Sequence, residues 1–200
     1  MMVVSHSRAF VFAHIPKTAG TSIAAALAPF ADGQRAAHGG TGHETLGAFL
    51  ARRPDLRGHF KFAFVRNPWE RAVSFYFHAR QRLAPTLPQM QAVENFEDML
   101  QLIDRGTAWI ADLLSLRPQS GFLHADDGTP LADFIGRYEK LDADFAAACR
   151  RAGIVARLAR ANPSRHGHYA SYFSDWGKGF VADRYREDIA AFDYRFEAAP

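Results

Sequence analysis

The feature that most constrains the fold of this chain is a short apolar run that breaks at a proline into small polar residues and reopens as a helix. Residues 10–23, FVFAHIPKTAGTSI, have this form. Phe10, Val11, Phe12 and Ala13 read as a short buried strand, Pro16 interrupts it, and an Ala-rich helix follows from Ile23 to Leu27. The amides of such a loop and of the first helical turn have no intrahelical partners, and the helix dipole favours an anion beside them. Lys17 adds a point charge, and Thr18, Thr21 and Ser22 add hydroxyl donors, so the stretch has the makings of a phosphate cradle. It is not the nucleoside-triphosphatase loop, because the GxxxxGK[ST] order is absent and the lysine precedes the glycine.

Residues 60–77, FKFAFVRNPWERAVSFYF, repeat the plan. Phe60, Phe62, Phe64 and Val65 form a β-prone run. Asn67 is a good N-cap and Pro68 suits the first helical position. Trp69, Ala72, Val73, Tyr76 and Leu83 then recur with helical periodicity. Arg66 stands at the strand end with Ser74 eight residues on, a spacing that lets both reach one phosphate beside the helix.

Together PKTAGTS and RNPWERAVSFY resemble the sulfotransferase family, in particular its carbohydrate-type branch (sulfotransferase family 2-like). The resemblance implies a donor, 3′-phosphoadenosine-5′-phosphosulfate. Its 5′-phosphosulfate would be held by Lys17, Thr18, Ala19, Gly20, Thr21 and Ser22, and its 3′-phosphate by Arg66 and Ser74. FIGRYEKLDADF resembles a family strand that ends near the nucleotide, which brings in Tyr138. NPSRHGHYASYFSDW resembles the late segment that closes over it, with Ser164, Asn162 and Arg165 as its polar candidates. The resemblance also implies a histidine base between the two phosphate motifs. His43 fits best, with His38, Glu44 and Glu139 as rivals. The implied acceptor is a hydroxyl of a carbohydrate or glycolipid.

Sulfuryl transfer asks a protein for alignment, for a cation at the bridging oxygen and for a base, much as phosphoryl transfer does. Lys17 supplies the cation. No acidic strand-end residue suits a magnesium ion, so no metal is expected. Two other readings stay open, a nucleotide-dependent phosphotransferase and a non-catalytic nucleotide- or glycan-binding module.

The rest of the chain fits one α/β domain over residues 1–200, a P-loop-like three-layer fold with a central parallel sheet flanked by helices. The hydrophobic content of 48%, including 17 Phe, is ample for its core. A helix is expected around Leu46, Phe49 and Leu50, ending before Pro54, and another from the Asn95 cap through Ile103. A third should span Trp109 to Leu116, with turns at 118–121 and 126–130. A strand over 134–139 and a helix over 142–151 stopped by Gly153 follow, and Val181, Tyr185, Ile189 and Phe192 mark a last helix. Between 83 and 130, helical insertions would build the acceptor side.

The net charge of +3 suits anionic ligands but is no nucleic-acid signature. Cys149 stands alone, which excludes an intramolecular disulfide framework and suggests a small core residue. No apolar run spans a bilayer, and the N-terminus lacks the pattern of a signal peptide. Eukaryotic members of the resembled branch usually carry an anchor, so a soluble, cytoplasmic bacterial enzyme is expected.

Overall fold

The computed structural model describes residues 1–32, 44–83, 85–125, 127–159 and 167–198. In chain order the elements are β1 (Met2–Ser5), β2 (Phe10–Ala13), α1 (Gly20–Leu27), α2 (Leu46–Arg52), β3 (Phe60–Val65) and α3 (Pro68–His78). Then come α4 (Phe96–Asp104), α5 (Ala108–Ala111), α6 (Ser120–Leu123), β4 (Phe134–Arg137), α7 (Leu141–Arg151), α8 (Asp175–Arg184) and α9 (Arg186–Phe192). They fall into two compact units, Met1–Arg66 with Gln119–Ala161 and Asn67–Pro118 with Asn162–Pro200.

The first unit holds the sheet, in the order β1-β2-β3-β4. β2, β3 and β4 pair in parallel, as the repeated strand–helix plan predicts. β1 is an antiparallel edge strand that the reading of the sequence did not anticipate. Phe10, Phe12, Phe62 and Phe64 alternate onto one face, fully buried against Ile23 and Leu27 of α1 and Phe145, Ala148 and Cys149 of α7. Val11, Ala63 and Val65 on the other face are buried as well, the usual state of parallel strands. Gly136 lies opposite Phe64 in the register, and a Cβ there would come within 2.4 Å of the Phe64 ring. Burial pushes the Cys149 thiol pKa up, which fits an inert core residue.

Three expectations need correction. α1 begins at Gly20 rather than Ile23, after a left-handed Ala19. The stretch 118–121 is no mere turn, because Ser120 opens α6, whose Phe122 and Leu123 are buried. The strand expected over 134–139 ends at Arg137, and Tyr138 starts a 3₁₀ turn.

In the second unit, the Asn67 side chain accepts hydrogen bonds from the Trp69 and Glu70 amides and so caps α3. Asn95 and Asp98 form a reciprocal capping box on α4. The helix expected over 109–116 instead stops at Ala111, with a separate 3₁₀ turn over Leu114–Leu116, and side chains hold the carbonyls around the break. Arg184 donates to Ala111 O at 2.9 Å, and Arg71 donates to Ser115 O at 2.9 Å and Arg117 O at 3.0 Å. The Tyr185 hydroxyl donates to Leu116 O at 2.9 Å, and burial raises its pKa, so it keeps its proton. Tyr185 is buried in doing so, and the last helix breaks there into α8 and α9. Among the described residues, no helix is long and apolar enough to cross a membrane.

Candidate functional site

Because β2, β3 and β4 run in parallel side by side, their carboxyl ends share one edge of the sheet. The residues that follow them are His14, Arg66 and Tyr138. Open α/β sheets bind ligands at that edge. The loop after β2 leads through Pro16 and Lys17 to the N-terminus of α1, which carries no acidic side chain in its first turn. The positive end of that helix is therefore not neutralised from within its own first turn.

The loop is strained. Lys17 has φ 70° and Ala19 φ 64°, both in the left-handed region that side chains disfavour. Such conformations cost about 1–3 kcal/mol each and persist only where the surroundings hold them. The restraints are visible. The Thr18 hydroxyl donates to Ile15 O at 3.0 Å, and the Ser22 and Ile23 amides donate to Ala19 O at 3.0 and 3.1 Å. Thr18 is fully buried, so its hydroxyl, expected as a donor to the anion, braces the loop instead. Thr21 is exposed and Ser22 half-buried on the first turn of α1, and Lys17 is half-buried.

Arg66 ties the edge together. Its guanidinium donates to Lys17 O at 3.4 Å and lies 3.8 Å from the centroid of the Tyr138 ring, while the residue is only 3% exposed. A stacked, nearly buried arginine beside a helix N-terminus is a suitable partner for a phosphate dianion. Three segments far apart in sequence thus converge, and Lys17, Arg66 and Tyr138 are neighbours.

The other candidates distribute as follows. Ser74 is buried in α3 and belongs to the second unit. His38, His43, Asn162, Ser164 and Arg165 lie outside the described residues. Glu44 is ion-paired with Arg52, and Glu139 is exposed.

The structure also brings in two residues that sequence reasoning missed. Gln119 is fully buried against the backbone of Arg66, a pairing across 53 residues that no local pattern announces. His14 packs directly on Gly20. A Cβ on Gly20 would sit 1.7 Å from His14 Cδ2, so this glycine is the condition for the ring's position. The position of His14 between the strand and Pro16 was the available signal.

That contact decides the sign of a substitution. In a helix, alanine is ordinarily favoured over glycine by about 0.5–1 kcal/mol. Here the overlap with His14 should outweigh that gain, since overpacking typically costs about 1–3 kcal/mol. Gly20→Ala is therefore expected to lower stability in urea denaturation, and adding His14→Ala should restore it. A neutral or stabilising Gly20→Ala would mean that the His14 ring yields freely.

No curated protein and no solved structure matches the chain. The model of the sulfotransferase family matches residues 1–195. With nearly the whole length so matched, and both PKTAGTS and RNPWERAVSFY inside the matched span, the chain belongs to the sulfotransferase family.

Proposed function

We propose that this protein transfers a sulfuryl group from 3′-phosphoadenosine-5′-phosphosulfate to a hydroxyl of a carbohydrate or glycolipid acceptor. The observation that carries this reading is the Arg66 guanidinium, bonded to Lys17 O and stacked on Tyr138 at the carboxyl edge of the parallel strands. Lys17 to Ser22 surround the 5′-phosphosulfate, with the backbone amides of Gly20 and Thr21 as donors. Arg66 takes the 3′-phosphate, and the family resemblance adds Ser74 as a hydroxyl donor to it. Tyr138 holds the guanidinium flat. The family resemblance adds Ser164 as a further donor to the nucleotide.

In the reaction the acceptor oxygen forms a bond to sulfur as the bond from sulfur to the 5′-phosphate oxygen breaks. Lys17 neutralises the charge that gathers on that leaving oxygen, and His43 takes the acceptor proton. The positions following the three parallel strands are histidine, arginine and tyrosine, none of them a carboxylate suited to magnesium. The reading therefore needs no metal, and the fold it implies is P-loop-like.

Titration of the protein with 3′-phosphoadenosine-5′-phosphate, ATP and GTP, with magnesium and with chelator, tests this. The bisphosphate should bind best, and its affinity should not change in chelator. Equal affinity for ATP, or loss of binding in chelator, would favour a phosphotransferase instead. Sulfate transfer to a panel of glycans then separates the enzyme from a silent binding module.

A further inference from the structure

The side-chain amide of Gln119 forms two hydrogen bonds with one residue. Its Oε1 accepts from the Arg66 amide at 2.8 Å, and its Nε2 donates to the Arg66 carbonyl at 2.8 Å. Gln119 and Arg66 are 0% and 3% exposed. This is the pairing a neighbouring strand would give, supplied by a side chain just beyond the last residue of β3. Arg66 and Gln119 are also the residues at which segment 67–118 leaves the first unit and the chain returns to it. The clasp therefore fixes the backbone of Arg66 where the sheet ladder has ended.

We propose that Gln119 is a positioning residue for the donor's 3′-phosphate: by holding both backbone polar groups of Arg66, it aims the guanidinium and so sets the preference for a 3′-phosphorylated nucleotide. This rests on the donor-site reading given above. The chain of contacts is short. Gln119 sets the Arg66 backbone, Tyr138 stacks on the guanidinium at 3.8 Å, and Nη1 reaches Lys17 O at 3.4 Å. A flexible arginine would pay for immobilisation when the phosphate binds, whereas a held one has already done so. Glutamine is the residue type the clasp requires, because it offers an acceptor and a donor at one planar end. An ionised glutamate accepts from the amide but cannot donate to the carbonyl, while a protonated one can do both.

The test uses the full chain with two nucleotides, adenosine-3′,5′-bisphosphate and adenosine-5′-phosphate, whose ratio of dissociation constants reports recognition of the 3′-phosphate alone. The variants are Gln119→Glu, Gln119→Met and Arg66→Ala, each compared with wild type at the same pH. In wild type the ratio should be large, and Arg66→Ala should collapse it. Gln119→Glu at about pH 8 should lower the ratio about tenfold while the monophosphate keeps its affinity, the loss expected for a misplaced charged hydrogen bond. Burial raises the introduced carboxyl's pKa, so by about pH 5.5 protonation should restore the donor and with it the wild-type ratio. Gln119→Met, which has neither donor nor acceptor, should lower the ratio without recovery at low pH, and it decides the matter if the carboxyl variant does not fold. A merely structural role would weaken both nucleotides in parallel at every pH, and that result overturns the proposal, as does an unchanged ratio in both Gln119 variants. If Arg66→Ala still collapses the ratio, the donor-site reading survives that failure. A wild-type ratio near one overturns both.

Discussion

Replacing Lys17 with alanine is expected to cut sulfuryl transfer by roughly 10²–10³ while leaving donor affinity within about tenfold of wild type. The asymmetry follows from when the charge appears. The bridging oxygen becomes strongly negative only as its bond to sulfur breaks, so a cation beside it stabilises the transition state more than the bound donor. The substitution should leave the loop standing. Lys17 adopts φ 70°, and alanine already occupies the same left-handed region at Ala19, with φ 64°. Bonds from Arg66 Nη1 to Lys17 O, from the Thr18 hydroxyl to Ile15 O and from the Ser22 and Ile23 amides to Ala19 O brace the loop, and the substitution leaves each of them in place. Single-turnover rates measured beside equilibrium binding of 3′-phosphoadenosine-5′-phosphate read the two effects separately. Normal turnover with weaker donor binding would make Lys17 a phosphate anchor and nothing more.

His43→Ala should cut turnover by roughly 10²–10⁴ with donor affinity unchanged, the range for a positioned acid–base group. An ordinary imidazole titrates near ~6.5, so the variant's pH–rate profile should also lose its acidic limb. The comparison set is His14→Ala, His38→Ala and Glu44→Ala. Glu44 is engaged by the Arg52 guanidinium, so its removal should mainly disturb the start of α2. His14 packs on the first residue of α1, so its loss should weaken donor binding along with rate. Should His14, His38 or Glu44 prove the residue whose removal abolishes transfer with donor binding intact, the base is not His43.

Much of the fold was legible because its signals are local. Asn67 before Pro68 marks the start of α3, Asn95 marks α4, and Gly153, with φ 64°, ends α7. The apolar runs at 10–13 and 60–65 are β2 and β3. The strand-to-helix loop was legible for the same reason, since a lysine, small residues and a helix start lie within one short stretch.

Where reading of the sequence went wrong, distant partners had overridden local preference. The 109–116 stretch has helical character, yet Arg184 takes the Ala111 carbonyl where the helix ends, and Arg71 and Tyr185 bond Ser115 O and Leu116 O beyond the break. Tyr185 interrupts the last helix while making that bond. β1 has only four residues and no alternating pattern long enough to read, and it exists because β2 offers it an edge.

The same division runs through the site. The sequence by itself determined where strands hand over to helices and which of those loops carries a lysine and hydroxyls, because capping and periodicity act between near neighbours. Only the tertiary structure decided that Thr18 turns inward, that Gly20 makes room for His14, and that Gln119 clasps Arg66 beside Lys17 and Tyr138. Those relations join residues up to 72 positions apart, as in Arg66 to Tyr138. Parallel strand pairing is what brings such residues to one edge, and no local pattern carries it.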